Sequence, residues 1–238
     1  MAISWFCIFQ HDDSVRRLSA AEHQGLVKSL RGCSGLVEGH LYTSSPLSHP
    51  YSADSTGPIL ALELEFATIA DCELNLTDNE HLLRLADPDF LPSLRGTDVA
   101  QQGMLVRHLP VASAVTATAD RSLCTYLVDY PGPAEDEQEW HHNYLESHAA
   151  IMCKFPGLRA AAVYTPATIV SQLPVRIASS MLRNKVAFDS AEALGAALAS
   201  PVRDELRADI AKFPPYAGGS SHVPMDTVII SGSGGGLS

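Results

Sequence analysis

The feature that most narrows the folds open to this chain is that it repeats itself. Gly35-Leu36-Val37-Glu38-Gly39-His40-Leu41-Tyr42-Thr43 and Gly157-Leu158-Arg159-Ala160-Ala161-Ala162-Val163-Tyr164-Thr165 share Gly, Leu, Tyr and Thr at one offset, 157 − 35 = 122. The same offset carries Leu62–Phe66 onto Asn184–Phe188, so that Phe66 meets Phe188, and Ala86-Asp87 onto Ala208-Asp209. Each Ala-Asp is followed shortly by Phe and Pro (Phe90 and Pro92; Phe213 and Pro214). An ordered series of matches along the chain points to duplication, and a duplicated chain is expected to fold as two like units.

Each half reads in the same order. An apolar strand (5–9; 125–130) leads to an amphipathic helix (about 19–30; 135–153) and a Gly-led strand (36–43; 158–165). A long loop, a third strand (60–66; 183–188), a helical stretch (68–91; 190–212) and a last strand (104–109; 226–231) follow. That order is βαββαβ, the split βαβ unit. The fold class expected is therefore α+β: two tandem ferredoxin-like halves, residues 1–110 and 120–230, with a Gly/Ser-rich flexible tail at 231–238. A single four-stranded sheet of this kind leaves one face bare, and two such faces can bury each other as a pseudo-dimeric α+β barrel.

The third strands bear on that packing. Leu62, Leu64 and Phe66 alternate with Glu63 and Glu65, while Asn184, Val186 and Phe188 alternate with Arg183 and Lys185. One half offers two acids where the other offers two bases. Either these are solvated faces, or the faces meet and the charges pair or hold a ligand, because unpaired burial is too costly.

Composition removes whole classes of function. Net charge is −11, which repels phosphate backbones and anionic bilayers, so nucleic acid and membranes are poor partners. No apolar run approaches a membrane span, and the N-terminus has neither basic lead nor cleavage site, so it reads as a first strand rather than a signal peptide. The five cysteines are scattered, odd in number and without a CxxC pair. That usage fits small buried hydrophobes in a reducing compartment, and a cytoplasmic location is expected.

The chemically richest stretch is Trp140-His141-His142-Asn143-Tyr144-Leu145-Glu146-Ser147-His148. On a regular helix His141, Tyr144 and His148 lie at i, i+3 and i+7 and share a face. An imidazole turned toward an apolar sheet stays neutral and suits general-base or general-acid work, with a tyrosine one turn away to orient it. A hydrogen-bonded core His–Tyr pair explains the same spacing. A metal site is weaker, because only two of the three histidines share a face and no carboxylate stands at ligand spacing. Two long loops, 44–58 and 166–182, occupy equivalent places, and loops of that length are commonly lids or binding loops. The first carries His49 and Tyr51. The second carries Arg176, with Arg183 just beyond it, and both arginines are candidate carboxylate anchors. Tyr216, between Pro214-Pro215 and Gly218-Gly219, could aim a phenol at a cleft mouth, and His142 is a further substrate-binding candidate. Arg107 and His108 fall on opposite faces of their strand and are not expected to act as a pair.

The run Tyr144-x-x-x-His148, then Phe155-Pro156-Gly157-Leu158-Arg159, Phe188-Asp189-Ser190, Ala193-Leu194, Ser200-Pro201, Ala208-Asp209 and Phe213, resembles the EthD-like branch of the dimeric α+β barrel superfamily. The resemblance covers about residues 123–230. The first half keeps the Gly-Leu strand and Ala86-Asp87 but has only His23 on its helix, which suggests one working site per chain. The resemblance implies mostly cofactor-free chemistry on small oxygenated molecules, as in muconolactone isomerases, polyketide decarboxylases and dehydratases, quinone-forming monooxygenases and haem-degrading enzymes. It implies a working role for His148 in a cleft between helices and sheet. A tandem chain of this length also looks like the cis–trans isomerases of methoxylated ring-cleavage products of lignin.

The leading expectation is a cofactor-independent isomerase acting on a small unsaturated carboxylic acid from aromatic catabolism. His148 would move the proton, Tyr144 or His141 would steady the enolate, and Arg183 would hold the carboxylate. The alternatives are a cofactor-free monooxygenase or decarboxylase of an aromatic polyketide, and a non-catalytic small-molecule binding protein. Haem is an option that no sequence feature favours, and the pseudo-dimeric chain could itself form a homodimer.

Overall fold

The computed structural model of the chain describes residues 2–11, 16–45, 57–114 and 122–232. His49, Tyr51, most of the inter-half linker and residues 233–238 of the tail lie outside the described residues. The strands are β1 (Ile3–Gln10), β2 (Leu36–Ser44), β3 (Leu60–Phe66), β4 (Asp98–His108), β5 (Ser122–Tyr130), β6 (Ala160–Ala167), β7 (Arg176–Ile177), β8 (Leu182–Phe188) and β9 (Ser221–Ser231). Eight of them close into one antiparallel barrel in the order β1-β3-β2-β9-β5-β8-β6-β4, with β4 pairing back onto β1. The short β7 adds a two-residue parallel pairing near the start of β4. Closure leaves none of the eight long strands with an open edge.

The two groups of four strands take the same internal order, β4-β1-β3-β2 and β9-β5-β8-β6. Their registers also repeat. His40 faces Glu63 and Tyr42 faces Ala61, while Ala162 faces Lys185 and Tyr164 faces Arg183, each residue 122 further on. Trp5 faces Leu64 and Gly103, while Tyr126 faces Val186 and Pro224, with 126 − 5 = 121 and 224 − 103 = 121. Gly35 and Gly157, which precede β2 and β6, both hold positive φ (67° and 76°), a conformation that costs any residue with a Cβ. The third strand of the first half runs over 60–66 as its alternation predicts, but β9 starts at Ser221 rather than near 226. Pro224, which cannot donate to a ladder, hides the first half of that strand from a sequence reading.

Helices cover the outside. Over the first four strands lie α1 (Ala20–Arg31), α2 (Ile69–Thr77) and α3 (Glu80–Leu83), with Leu26, Leu30, Cys72 and Leu76 packed on Trp5, Leu62, Leu64 and Phe66. Over the last four lie α4 (Glu137–Asn143), a π-helical turn (Tyr144–His148), α5 (Ala149–Met152), α6 (Ala191–Leu198) and α7 (Val202–Ile210). Trp140, Met152, Leu194 and Phe213 meet Tyr126, Val186 and Phe188 there. All five cysteines are free, and all but Cys153 are buried. No helix among the described residues is long and apolar enough to cross a membrane.

The loop between β6 and β8 meets the second-half core at its end, through Met181, but most of it lies elsewhere. It crosses to the first half: the Val170 amide donates to the Glu73 carboxylate (2.9 Å) and the Gln172 amide to the Leu76 carbonyl (2.9 Å), and Leu173 is buried in the first-half core. Over residues 169–175 this loop, whose length suggested a lid or binding loop, packs on the first half's core. Its apolar Ile169, Leu173 and Val175 find their burial against β1, β4 and α2.

Inside the barrel, the acids of β3 meet the bases of β8. Lys185 Nζ donates to both oxygens of Glu63 (2.9 and 3.1 Å), with Glu63 fully buried and Lys185 nearly so. Tyr164 donates to Glu63 Oε1 (2.6 Å), Tyr42 donates to Oε2, and a His40 ring nitrogen stands 3.7 Å from Oε2. Burial alone would raise the Glu63 pKa, but Lys185, His40 and the two phenols outweigh it and hold the carboxyl at about 2. Further along, Glu65 pairs with His108 (2.9 Å). The solvated-face alternative for Glu63 and Lys185 is excluded. Removing one partner of a buried pair strands the other charge, which costs about 3 kcal/mol or more. Lys185→Met should therefore lower stability by that amount in urea unfolding, whereas Lys154→Met at the exposed Lys154–Glu205 pair should cost less than about 1 kcal/mol. Equal losses would show that the barrel pair carries no special weight.

Candidate active site

A cavity of about 400 Å³ opens between the helices of the second half and the outer face of β5, β8 and β9. The π turn builds its floor. Its i→i+5 bond, from the Ala149 amide to the Tyr144 carbonyl, accommodates an extra residue in the turn and sets the Tyr144 and His148 rings 4.6 Å apart. Residues before the turn lose register with those after it, so His141 does not share the face expected of it. Its Nε2 instead hydrogen-bonds the Met181 carbonyl (3.0 Å), tying α4 to the residue just before β8. His142 is exposed. The three histidines of this stretch thus go three ways, which removes the geometry a shared metal would need.

His148 is buried and held from α7. Its Nδ1 lies 3.2 Å from Asp209 Oδ2, and the same oxygen accepts Ser147 Oγ (3.0 Å). A carboxylate can only accept, so the neutral ring carries its proton on Nδ1 and leaves a lone pair on Nε2. Burial lowers the His148 pKa, with the Asp209 hydrogen bond and charge pulling the other way. The ring is therefore a neutral base at neutral pH. Tyr144, fully buried, accepts a hydrogen bond from Asn184 Nδ2 (2.6 Å), and burial pushes its phenol well above the usual range. It is a positioned neutral hydroxyl rather than a source of phenolate.

Across the cavity stand residues that the sequence did not single out. His222 on β9 lines the cavity beside Tyr126 and Tyr130, with ring centroids 5.6 and 6.4 Å away. Burial, then the charges of Arg203 and His148, push its pKa down to about 4. Burial likewise pushes Tyr126 up to about 12. Tyr216, a candidate named from the sequence, also lines the cavity, with its ring edge-on to Tyr130 (5.8 Å). Arg203 and Arg207 line it from α7. Asp209 was visible as a repeat marker, but nothing in the sequence tied it to His148. His222 was hidden in the half of β9 that Pro224 disguises.

Arg183 and Arg176 are elsewhere. Alternation along β8 sends Asn184 to the helix-side cavity and Arg183 into the barrel, where its Nε binds Asp129 (2.7 Å) and one terminal nitrogen binds Ser180 Oγ (3.1 Å). Arg176 is exposed and pairs with Asp98 (2.8 Å). Neither shares a cavity with His148, so the expected carboxylate anchor for that site is corrected.

No protein-family model matches the chain, and no curated protein matches it in sequence. Solved structures do match in shape. An anthrone oxidase-like protein superposes with a TM-score of 0.63 at 13% identity, over 99% of this chain and 97% of that one. A candidate monooxygenase from Fusobacterium nucleatum subsp. nucleatum ATCC 25586 gives 0.59 at 9% identity (99% and 95%). Another from Lactobacillus acidophilus NCFM gives 0.56 at 9% identity (97% and 96%). At these identities the shared property is the fold, an eight-stranded α+β barrel spanning nearly the whole of each chain.

Two histidines that resist protonation in the fold but not in the unfolded chain make stability fall with acid. For His222 the folded pKa, about 4, lies below the ordinary 6.5, so between those values the unfolded state holds the extra proton. Thermal midpoints should drop as pH falls from 7 to 5, and His222→Phe should flatten that slope. An unchanged slope would show that His222 titrates freely.

Proposed function

We propose that this chain is an enzyme that deprotonates a small, planar, enolisable organic molecule bound in the helix-side cavity, with His148 as the base. The observation that carries the reading is a neutral imidazole, fixed in one tautomer by Asp209, on the floor of a cavity walled by Tyr126, Tyr130, Met152 and Phe155. Nε2 takes a proton from a carbon next to a carbonyl, and Tyr144 and Asn184 offer hydroxyl and amide dipoles to the oxygen on which charge collects. We infer as well that the chain is a tandem of two ferredoxin-like units of the EthD-like kind, divided near residues 110–120, a reading supported by the repeated strand order and register.

The carbanion has two fates. Reaction with dioxygen converts an activated methylene to a carbonyl, one oxygen atom entering the carbonyl and the other leaving as water, with the methylene supplying all four electrons and both hydrogens of the water. Reprotonation at another carbon gives an isomer. The oxidative outcome, a monooxygenase of a polycyclic phenol, is favoured by the aromatic walls, by the absence of Arg183 and Arg176 from this cavity, and by the names of the neighbours of like fold. Arg203 and Arg207 on α7 support the second reading, an isomerase of an unsaturated acid held by its carboxylate.

With anthrone as the probe, oxygen uptake should be saturable and should fall at least about 100-fold in His148→Ala, the usual scale of a lost general base. Asp209→Asn, which permits the other tautomer, should cut kcat/KM by about 10- to 100-fold. The acid limb of kcat/KM should lie below pH 6.5, because protonation removes the base and burial lowers the pKa at which that happens. A fully active His148→Ala enzyme would end the assignment. Turnover of an unsaturated acid without oxygen uptake would select the isomerase.

A further inference from the structure

We propose that the mouth of the barrel is a second binding site, for a small carboxylic acid with an apolar body. A cavity of about 280 Å³ opens at the end of the barrel where β5 finishes and β8 and β9 begin, on the opposite side of the sheet from His148. Phe6, Ile8, Leu127 and Val223 give it an apolar wall. Arg183 gives it a cationic one, at only 6% exposure and with its guanidinium 5.0 Å above the Phe6 ring.

The polar groups around Arg183 are incompletely used. Its Nε and one terminal nitrogen bind Asp129 and Ser180, but the other terminal nitrogen is buried with no hydrogen-bond partner among the described residues. Gln102, whose amide nitrogen donates to the Ser180 carbonyl (2.9 Å), has a buried side-chain oxygen in the same condition. Leaving a buried guanidinium nitrogen unpaired costs free energy that an acceptor would recover. A carboxylate is the acceptor that matches a guanidinium fork, and an aromatic or branched body matches the wall opposite. Arg176, exposed at the rim, is a second cation on the way in. The volume suits a ligand smaller than drug size.

Benzoate is a suitable probe and benzyl alcohol its uncharged counterpart. In methyl NMR spectra of the intact chain, benzoate should shift the Ile8, Leu127 and Val223 methyls saturably, ahead of the cleft methyls of Leu198, Leu206 and Ile210. Benzyl alcohol should bind at least tenfold more weakly, and so should benzoate to Arg183→Gln. Should that variant fail to fold, Val223→Phe, which fills the cavity and keeps every charge, must also weaken benzoate at least tenfold. Shifts confined to the cleft methyls would overturn the proposal and place the acid beside His148 instead. No saturation below about 10 mM, equal binding of the alcohol, or unchanged affinity in Val223→Phe would overturn it outright.

Discussion

The barrel is organised around one buried ion pair. Glu63 and Lys185 stand 122 positions apart, at equivalent places in β3 and β8, and the phenols that complete the carboxylate, Tyr42 and Tyr164, are 122 apart as well. The offset that relates the repeated registers therefore runs through the pair, the first four strands supplying the acid and the last four the base. Side chains alternate along a strand, so slipping β3 or β8 by one residue would push a charge into the helix-side core. In a slipped register one of these charges would be buried without its partner, which disfavours it.

Much of this was legible in the chain itself. The repeat, the alternation in 60–66 and 183–188, and the opposition of acids to bases led to a closed barrel, because each is a local pattern with a fixed geometric meaning. The face that the helix turns to the cavity was less legible. The spacing of His141, Tyr144 and His148 assumes 3.6 residues per turn, and the π turn at Tyr144–His148 breaks that assumption where the side chains matter. Asp209 and His222 meet His148 only through tertiary packing, which no periodicity records. The destination of Arg183 was implicit in the alternation that placed it beside Lys185, and assigning it to the His148 site overlooked that its neighbour Asn184 faces the other way.

The halves share a plan but not a cavity. The positions of Tyr126 and His222 correspond, 121 residues earlier, to Trp5 and Gln101 (126 − 5; 222 − 101). Trp5 donates from its indole nitrogen to Gln101 (3.0 Å), and Gln101 in turn donates to the Leu173 carbonyl (3.3 Å). The place of the open cleft is thus taken by an indole, an amide and a leucine from the crossing loop, all buried. The second half thus has an open cavity where the first is filled by its own core and by a segment of the loop between β6 and β8.

The two seams, β2 with β9 and β4 with β6, use the rims of each four-stranded sheet against the other. None of the eight long strands among the described residues therefore retains a ladder of unpaired amides and carbonyls to lend. A neighbouring molecule cannot lengthen this sheet, whether as an orderly dimer or as the start of a fibre, without first prying the cylinder open. Among the described residues, the surface left for self-association is that of helices and loops, outside the closed interior.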